Sequence, residues 1–145
     1  MSLFDSISVS ASGLTAQRQR AEVLVENIAN ADTTRTAGGG PYRRKDVVFQ
    51  SQATGEPFSS VLQSQLGDQP QGVAISEIVT DQSEPERRYL PGHPDADKDG
   101  YVAFPKVNPA EDMVDLMGAS RAYQANVSAI SAVKDMINRS MDLFH

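Results

Sequence analysis

The sequence has no cysteine and no tryptophan, and its aromatic residues amount to only 6%. Without Cys, disulfides, thiol catalysis and Cys-ligated zinc are excluded in one step. The scarcity of aromatics matters for the core as well, because much of the 39% hydrophobic content is alanine. About one domain is expected from 145 residues, without a large independent core. Positive charge is also short, with 13 Lys and Arg against 19 Asp and Glu, a net charge of −6. Neutralising a phosphate backbone needs a basic surface, so no nucleic-acid partner is expected. No run approaches the roughly 20 apolar residues that span a bilayer, and the first basic residue is Arg18. Neither membrane insertion nor a cleaved signal peptide is expected.

What the chain does have is periodicity at both ends. Phe4, Ile7, Ala11, Leu14, Arg18, Ala21, Val25 and Ile28 recur at alternating spacings of three and four, interrupted only by Arg18. This predicts an N-terminal amphipathic helix, with Ser2 as its cap. Met113, Leu116, Ser120, Tyr123, Val127, Ile130, Lys134, Ile137, Met141 and Phe144 repeat the pattern at the other end. A second stripe runs beside it through Ala119, Ala122, Asn126, Ala129, Val133, Met136, Ser140 and Leu143. Asn108 suits the cap of this helix, Pro109 its first position and Glu111 a capping box. So broad a stripe, rich in alanine, permits more than one neighbouring helix to approach closely. Both terminal helices are therefore expected to order fully only against other subunits.

Between them the reading is β-prone. The fold class expected is α+β: long N- and C-terminal α-helices forming a coiled-coil-like pair, with a small β-rich middle module and extended linkers. The boundaries predicted are 1–31 for the first helix, 32–45 for a Gly-rich linker, 46–106 for the module and 107–145 for the last helix. Gly38, Gly39 and Gly40 lack the Lys-Ser/Thr of a phosphate loop and are read as flexible. Ser51 to Gly72 reads as a long polar loop. Tyr42, Arg43, Arg44 and Lys45 form a basic cluster in an acidic chain, read as a subunit-contact patch facing acids of a neighbour such as Glu84, Glu86 or Asp95.

The segment DADKDG, Asp95 to Gly100, matches the opening of a calcium loop, with Asp95, Asp97 and Asp99 at the liganding positions. The bidentate Glu expected at the twelfth position is Lys106 instead. A polar turn between strands is the plainer reading. His93 beside Asp95 and Asp97 is too small a set for a zinc site, and His145 is the other histidine. No serine sits in a nucleophile-elbow pattern for His93 to serve as base. No enzyme activity, cofactor or bound metal is expected.

ASGLTAQRQRAEVLVENIANADTTRT, followed by GGGPYRRKDVVF, resembles the N-terminal signature of the flagellar axial rod and hook family. TTRTAGGGPYRR, HPDADKDGYVAFPKVNP and ASRAYQANVSAI are similar specifically to its proximal rod members. The resemblance implies a structural subunit of the bacterial flagellar basal body that assembles through its terminal helices, transmits torque and lines the export channel. It implies as partners copies of the same chain, proximal and distal rod subunits, the basal-body protein FliE and the flagellar type III export apparatus. It further implies a periplasm-spanning rod whose subunits are exported without a cleaved signal peptide. By the same carry-over, Ser12, Gly13, Leu14, Ala16, Gln17, Asn27, Ala29 and Asn30 are packing positions of the first helix. Ala119, Ser120, Arg121, Ala122, Tyr123, Gln124, Ala125 and Asn126 serve the last. Periodicity adds Phe4, Ile7, Ala11, Ala21, Val25, Ile28, Leu116, Val127, Ile130 and Ile137. Lys106 replaces the Asn usual in the family, and the apolar run at Val23 to Val25 is shorter. Asn27 and Asn30, three apart at the helix end, read as a docking junction whose amides bond freed carbonyls and a neighbour's backbone. The alternatives are another axial subunit, a calcium-responsive coiled-coil binding module, or a cytosolic coiled-coil adaptor.

Overall fold

A computed structural model describes residues 3–53 and 71–142. The expected Ser2 cap, most of the loop expected between Ser51 and Gly72, and Leu143, Phe144 and His145 lie outside these residues. Helix α1 spans Leu3–Ala29, strand β1 Lys45–Ala53 and β2 Gln71–Thr80. Then come β3, Glu86–Tyr89, β4, Tyr101–Phe104, and helix α2, Pro109–Asp142. The architecture is α+β, as the sequence pattern requires. Two antiparallel two-stranded sheets, β1-β2 and β3-β4, lie between the helices in sequence. The ends of the expected polar loop are thus strand, since β1 runs through Ala53 and β2 begins at Gln71.

Local chemistry sets the element ends. Pro109 takes the first position of α2, where a missing N–H costs nothing, and the Ala110 N–H donates to Asn108 Oδ1 at 3.2 Å. At the end of α1 the Asn30 side-chain amide donates at 2.9 Å to the Glu26 carbonyl, which also accepts from the Asn30 N–H at 3.1 Å, so that amide is used within the chain. The glycine run does more than loosen the linker. Gly39 and Gly40 both have φ near +80°, and the Thr36 N–H donates to the Gly40 carbonyl at 2.8 Å, closing a specific turn.

The chain forms two compact units, each drawing on both helices. The first comprises Met1–Gln19, Val48–Glu77 and Ala119–His145, and the second Arg20–Val47 and Ile78–Gly118. Among the described residues of the first unit, Ala16, Ala119 and Val133 are buried. Its helices approach closely where an added Cβ on Gly13 would lie 3.0 Å from the Asn126 amide nitrogen. Ser12 Oγ there accepts from the Val73 N–H at 3.0 Å, tying α1 to β2.

The second unit is built around β3 and β4, which pair in register from Glu86↔Phe104 to Tyr89↔Tyr101. Val102 is its most enclosed apolar side chain at 1% exposure, joined by Val23, Leu24 and Tyr42. Tyr89 meets Tyr101 edge-on with ring centroids 5.4 Å apart, and the Arg88 guanidinium lies 4.8 Å from the Phe104 ring centre. Gly100 turns the chain between these strands at φ +80°, and a Cβ there would come 2.9 Å from the Tyr89 ring. Only glycine fits.

Candidate functional site

Two polar side chains, Asn27 and Asp112, are fully enclosed in the second unit. Enclosing a polar group costs free energy unless it is bonded, so both need an explanation. Asn27 sits two residues before the end of α1 and faces the chain that enters β1. Its Oδ1 accepts from the Lys45 N–H at 3.0 Å and from the Tyr42 hydroxyl at 2.9 Å, while its Nδ2 donates to the Lys45 carbonyl at 2.8 Å. One amide side chain thereby answers both backbone groups of Lys45, as a neighbouring strand would. The docking junction expected at Asn27 is therefore turned inward, because its bonding groups serve this chain's own backbone. Burial, with the charges of Glu26 and Asp112 behind it, pushes the Tyr42 hydroxyl up to about 12, so it remains a donor.

Asp112 lies in the first turn of α2 and meets Arg44 at 2.9 Å, without the alignment of an ordinary hydrogen bond. Burial raises its pKa above the ordinary 3.8; Arg44 opposes that shift, and Asp46, Asp115 and Glu111 add to it. Arg44 also reaches Asp46 at 3.4 Å, and Lys45 pairs with Glu26 at 2.5 Å. Arg20 and Asp115 are 3.6 Å apart and link the two helices directly in this unit. The four-residue basic cluster is thus taken up largely within the chain. Tyr42 is buried, Arg44 and Lys45 are half-buried against its own acids, and Arg43 is the exposed member, donating to the Asp81 carbonyl at 3.2 Å.

The acidic turn is equally committed. Asp97 Oδ1 accepts from the Asp99 and Tyr101 N–H groups at 3.0 and 2.9 Å, and Asp95 accepts from the Thr34 hydroxyl at 2.8 Å. These bonds fix the entry to β4 and anchor the segment after α1. Among the described residues no group of three or more His, Asp or Glu is placed to hold a metal ion. No helix of the described residues is long and apolar enough to cross a membrane.

The helix faces carry the other half of the site. On α1 the buried side chains are Ala16, Val23, Leu24 and Asn27, whereas Phe4 is 75% and Val25 51% exposed. Ala11 and Arg18 are exposed too, and Ile7, Leu14, Ala21 and Ile28 are half-buried. The inward stripe is consequently displaced round the helix from the row read by apolar spacing. On α2 it runs through Asp112, Leu116, Ala119, Ala122, Asn126, Ile130, Val133 and Ile137, combining members of both predicted stripes. Tyr123, Val127 and Met141 face outward, as do Met113, Val114 and Met117. Among the expected packing positions, Ser12, Gly13 and Gln17 are half-buried; Ala29, Ser120, Arg121, Gln124 and Ala125 are exposed in the single chain.

Asp112 and its ion pair with Arg44 escaped the sequence reading. The available signal was that Asp112 stands seven residues before Ala119 and so extends the second stripe, through Asn126 and Val133, back to the first turn of the helix.

Comparison with known proteins now gives the arrangement a context. Residues 7–35 match the family described as "Flagella basal body rod protein", and residues 98–143 match "Flagellar basal body rod FlgEFG protein C-terminal". The flagellar basal-body rod protein FlgC of Bacillus subtilis is 45% identical over 99% of both chains. That of Borreliella burgdorferi is 43% identical over 97% of both, and that of Escherichia coli O6:H1 is 38% identical over 99% of this chain and 98% of its own. The chain belongs to the flagellar basal-body rod protein FlgC family. It is a structural subunit of the basal-body rod. The rod-family matches cover α1 from residue 7 onward and the whole of α2, where both enclosed polar anchors lie.

Proposed function

We propose that this rod subunit belongs to the proximal rod, where its terminal helices pack against neighbouring rod subunits, carry torque along the rod and line the channel through which later subunits pass. One observation carries the reading. Both helices leave large apolar side chains uncovered after the chain has folded, notably Phe4 at 75%, Val114 at 64%, Met113 at 55% and Met117 at 54% exposure. A scattered exposed apolar residue is ordinary, but three within two turns of one helix form a patch that water does not favour. Within the second unit the enclosed anchors of Asn27 and Asp112 tie both helices to the segment entering β1, and a subunit under torsional load requires that rigidity.

The partners in this reading are other rod subunits, the basal-body protein FliE and further copies of the chain. The delivery route is the flagellar type III export apparatus, with no cleaved signal peptide. In this reading the middle strands and the exposed Arg43 lie at the outer side or between subunits. The test is Val114→Asp together with Met117→Asp, changes that leave the enclosed side chains untouched. Rods and swimming are expected to be lost while the purified chain keeps its helical circular dichroism; normal rods from this variant would refute the assembly role.

A further inference from the structure

Helix α1 shows a burial pattern more regular than its apolar pattern. Phe4, Ser8, Ala11, Thr15, Arg18, Glu22, Val25 and Ala29 are all exposed, at strictly alternating spacings of four and three. Apart from Leu3 and Gln19, every other residue of the helix is buried or half-buried. The uncovered surface is therefore a single narrow seam with the seven-residue period of a coiled coil, running the length of the helix. Its chemistry is ordered as well. The positions preceding each four-residue step are Phe4, Ala11, Arg18 and Val25, and those following it are Ser8, Thr15, Glu22 and Ala29.

We propose that this seam receives the α1 seam of a second copy of the chain, running parallel and displaced by four residues, about 6 Å along the axis. The inference rests on the assembly reading above and specifies its partner and register. With that displacement Phe4 faces Ser8 of the next copy, Ala11 faces Thr15, Arg18 faces Glu22 and Val25 faces Ala29. Large side chains meet small ones at the two ends, and the one cation of the seam meets its one anion. Parallel copies without displacement would set Arg18 against Arg18 and Glu22 against Glu22, which like charges disfavour. An antiparallel pair can bring Arg18 to Glu22, but it leaves Phe4, the most exposed large apolar residue on the helix, without a partner. The displaced contact also has a topological consequence. Each copy uses one side of the seam toward the copy ahead and the other toward the copy behind, a head-to-tail contact that propagates into a helix and does not close as a dimer.

A cysteine-free sequence makes the register directly measurable. Full-length chains carrying Ala11→Cys or Thr15→Cys are expressed singly and as a mixture, and basal bodies are treated with a short thiol cross-linker. The mixture is expected to give a cross-linked pair containing one of each chain, with neither single variant giving pairs. Pairs from Ala11→Cys alone would establish an undisplaced register and overturn the proposal. Cross-linking of Ala11→Cys to Ala29→Cys in its place would show the antiparallel arrangement, with the same result. Assembled rods with no cross-link in the mixture would mean that the seam faces a different protein.

Charge exchange supplies a second arm. Arg18 and Glu22 both have interactions within the single chain, so the decisive variants are combined between chains. Arg18→Glu and Glu22→Arg are each expected to abolish rods alone and to restore them when co-expressed. Restoration only when both changes sit in one chain would place the pairing inside one helix and overturn the proposal. Loss of the register evidence while Val114→Asp with Met117→Asp still abolishes rods would leave the assembly role standing. Intact rods in that last variant would remove the assembly role itself, whatever the cross-links show.

Discussion

The two units of this chain are held by different kinds of interaction. In the second, Asn27 and Asp112 are fully enclosed and meet Lys45, Tyr42 and Arg44 through directed polar contacts. In the first, the buried side chains among the described residues are Ala16, Ala119 and Val133, and the helices meet where Gly13 leaves room for Asn126. Directional contacts fix one geometry and fail when a partner is deleted. Contacts between small side chains depend on close approach and fail when something larger is inserted. A low-aromatic, alanine-rich sequence can thus form two ordered units without a large apolar core. The second unit resists sliding, while the first presents slim helices suited to assembly.

Substitutions test that contrast, and the largest effect is expected at Asn27. Asn27→Ala strands the N–H and carbonyl of Lys45 and should destabilise the chain by about 3–4 kcal/mol, read by urea unfolding. Tyr42→Phe, which removes one of three bonds, should cost about 1 kcal/mol. A loss at Asn27 no greater than at Tyr42 would show that the amide anchor is not what holds the second unit.

Arg44→Met comes next, at about 3 kcal/mol near neutral pH, the lower end for a broken buried pair because Arg44 is itself 22% exposed. The pH dependence follows from Asp112. Burial sets its folded pKa above the ordinary 3.8, so the folded chain binds that proton more tightly than the unfolded one. The stabilisation linked to this proton is present in full below 3.8 and is lost as pH rises through the folded value. Asp112→Asn should remove that component of the slope, and the Arg44→Met penalty should shrink as pH falls through the same window. Stability curves of the two variants between pH 3 and neutrality check both signs.

In the first unit the corresponding break is overpacking. Ala119 is 1% exposed, and Ala119→Leu should cost about 2 kcal/mol by forcing its neighbours apart. Gly100→Ala in the second unit combines a positive φ with a 2.9 Å clash and should cost about 1–2 kcal/mol, measured as a fall in Tm. The smallest effect is expected at Gly13→Ala. Its new Cβ meets only a side-chain amide at 3.0 Å, and the gain in helix propensity opposes the crowding, so the change should stay within about 0.5 kcal/mol. A loss of several kcal/mol there would mean that Asn126 cannot move aside and that the first unit is as geometrically fixed as the second.

Much of this molecule was legible from local rules. The two helices follow from repeating apolar positions, the start of α2 from Asn108 and Pro109, and the α+β class from short β-prone runs between turn residues. The acidic turn was legible too, since Asp97 spaced two and four residues before its backbone partners is a local arrangement. Less legible was the face each helix turns inward. Apolar spacing favoured Phe4, Ala11 and Val25, whereas the fold buries Val23, Leu24 and Asn27. In a chain destined to bury surface twice, once in folding and again in assembly, the apolar rows do not announce which event claims them.

By itself the sequence determined the elements, their order, the absence of a thiol or a large aromatic core, and membership of the rod family, because each depends on residue type and near-neighbour spacing. Tertiary structure alone decided that Asn27 would stand in for a strand beside Lys45, that Asp112 would be enclosed against Arg44, and that eight residues of α1 would be left as a seam. Those outcomes join residues separated by 18 and 68 positions, and no local energy term acts across such distances until the chain has brought the groups into contact.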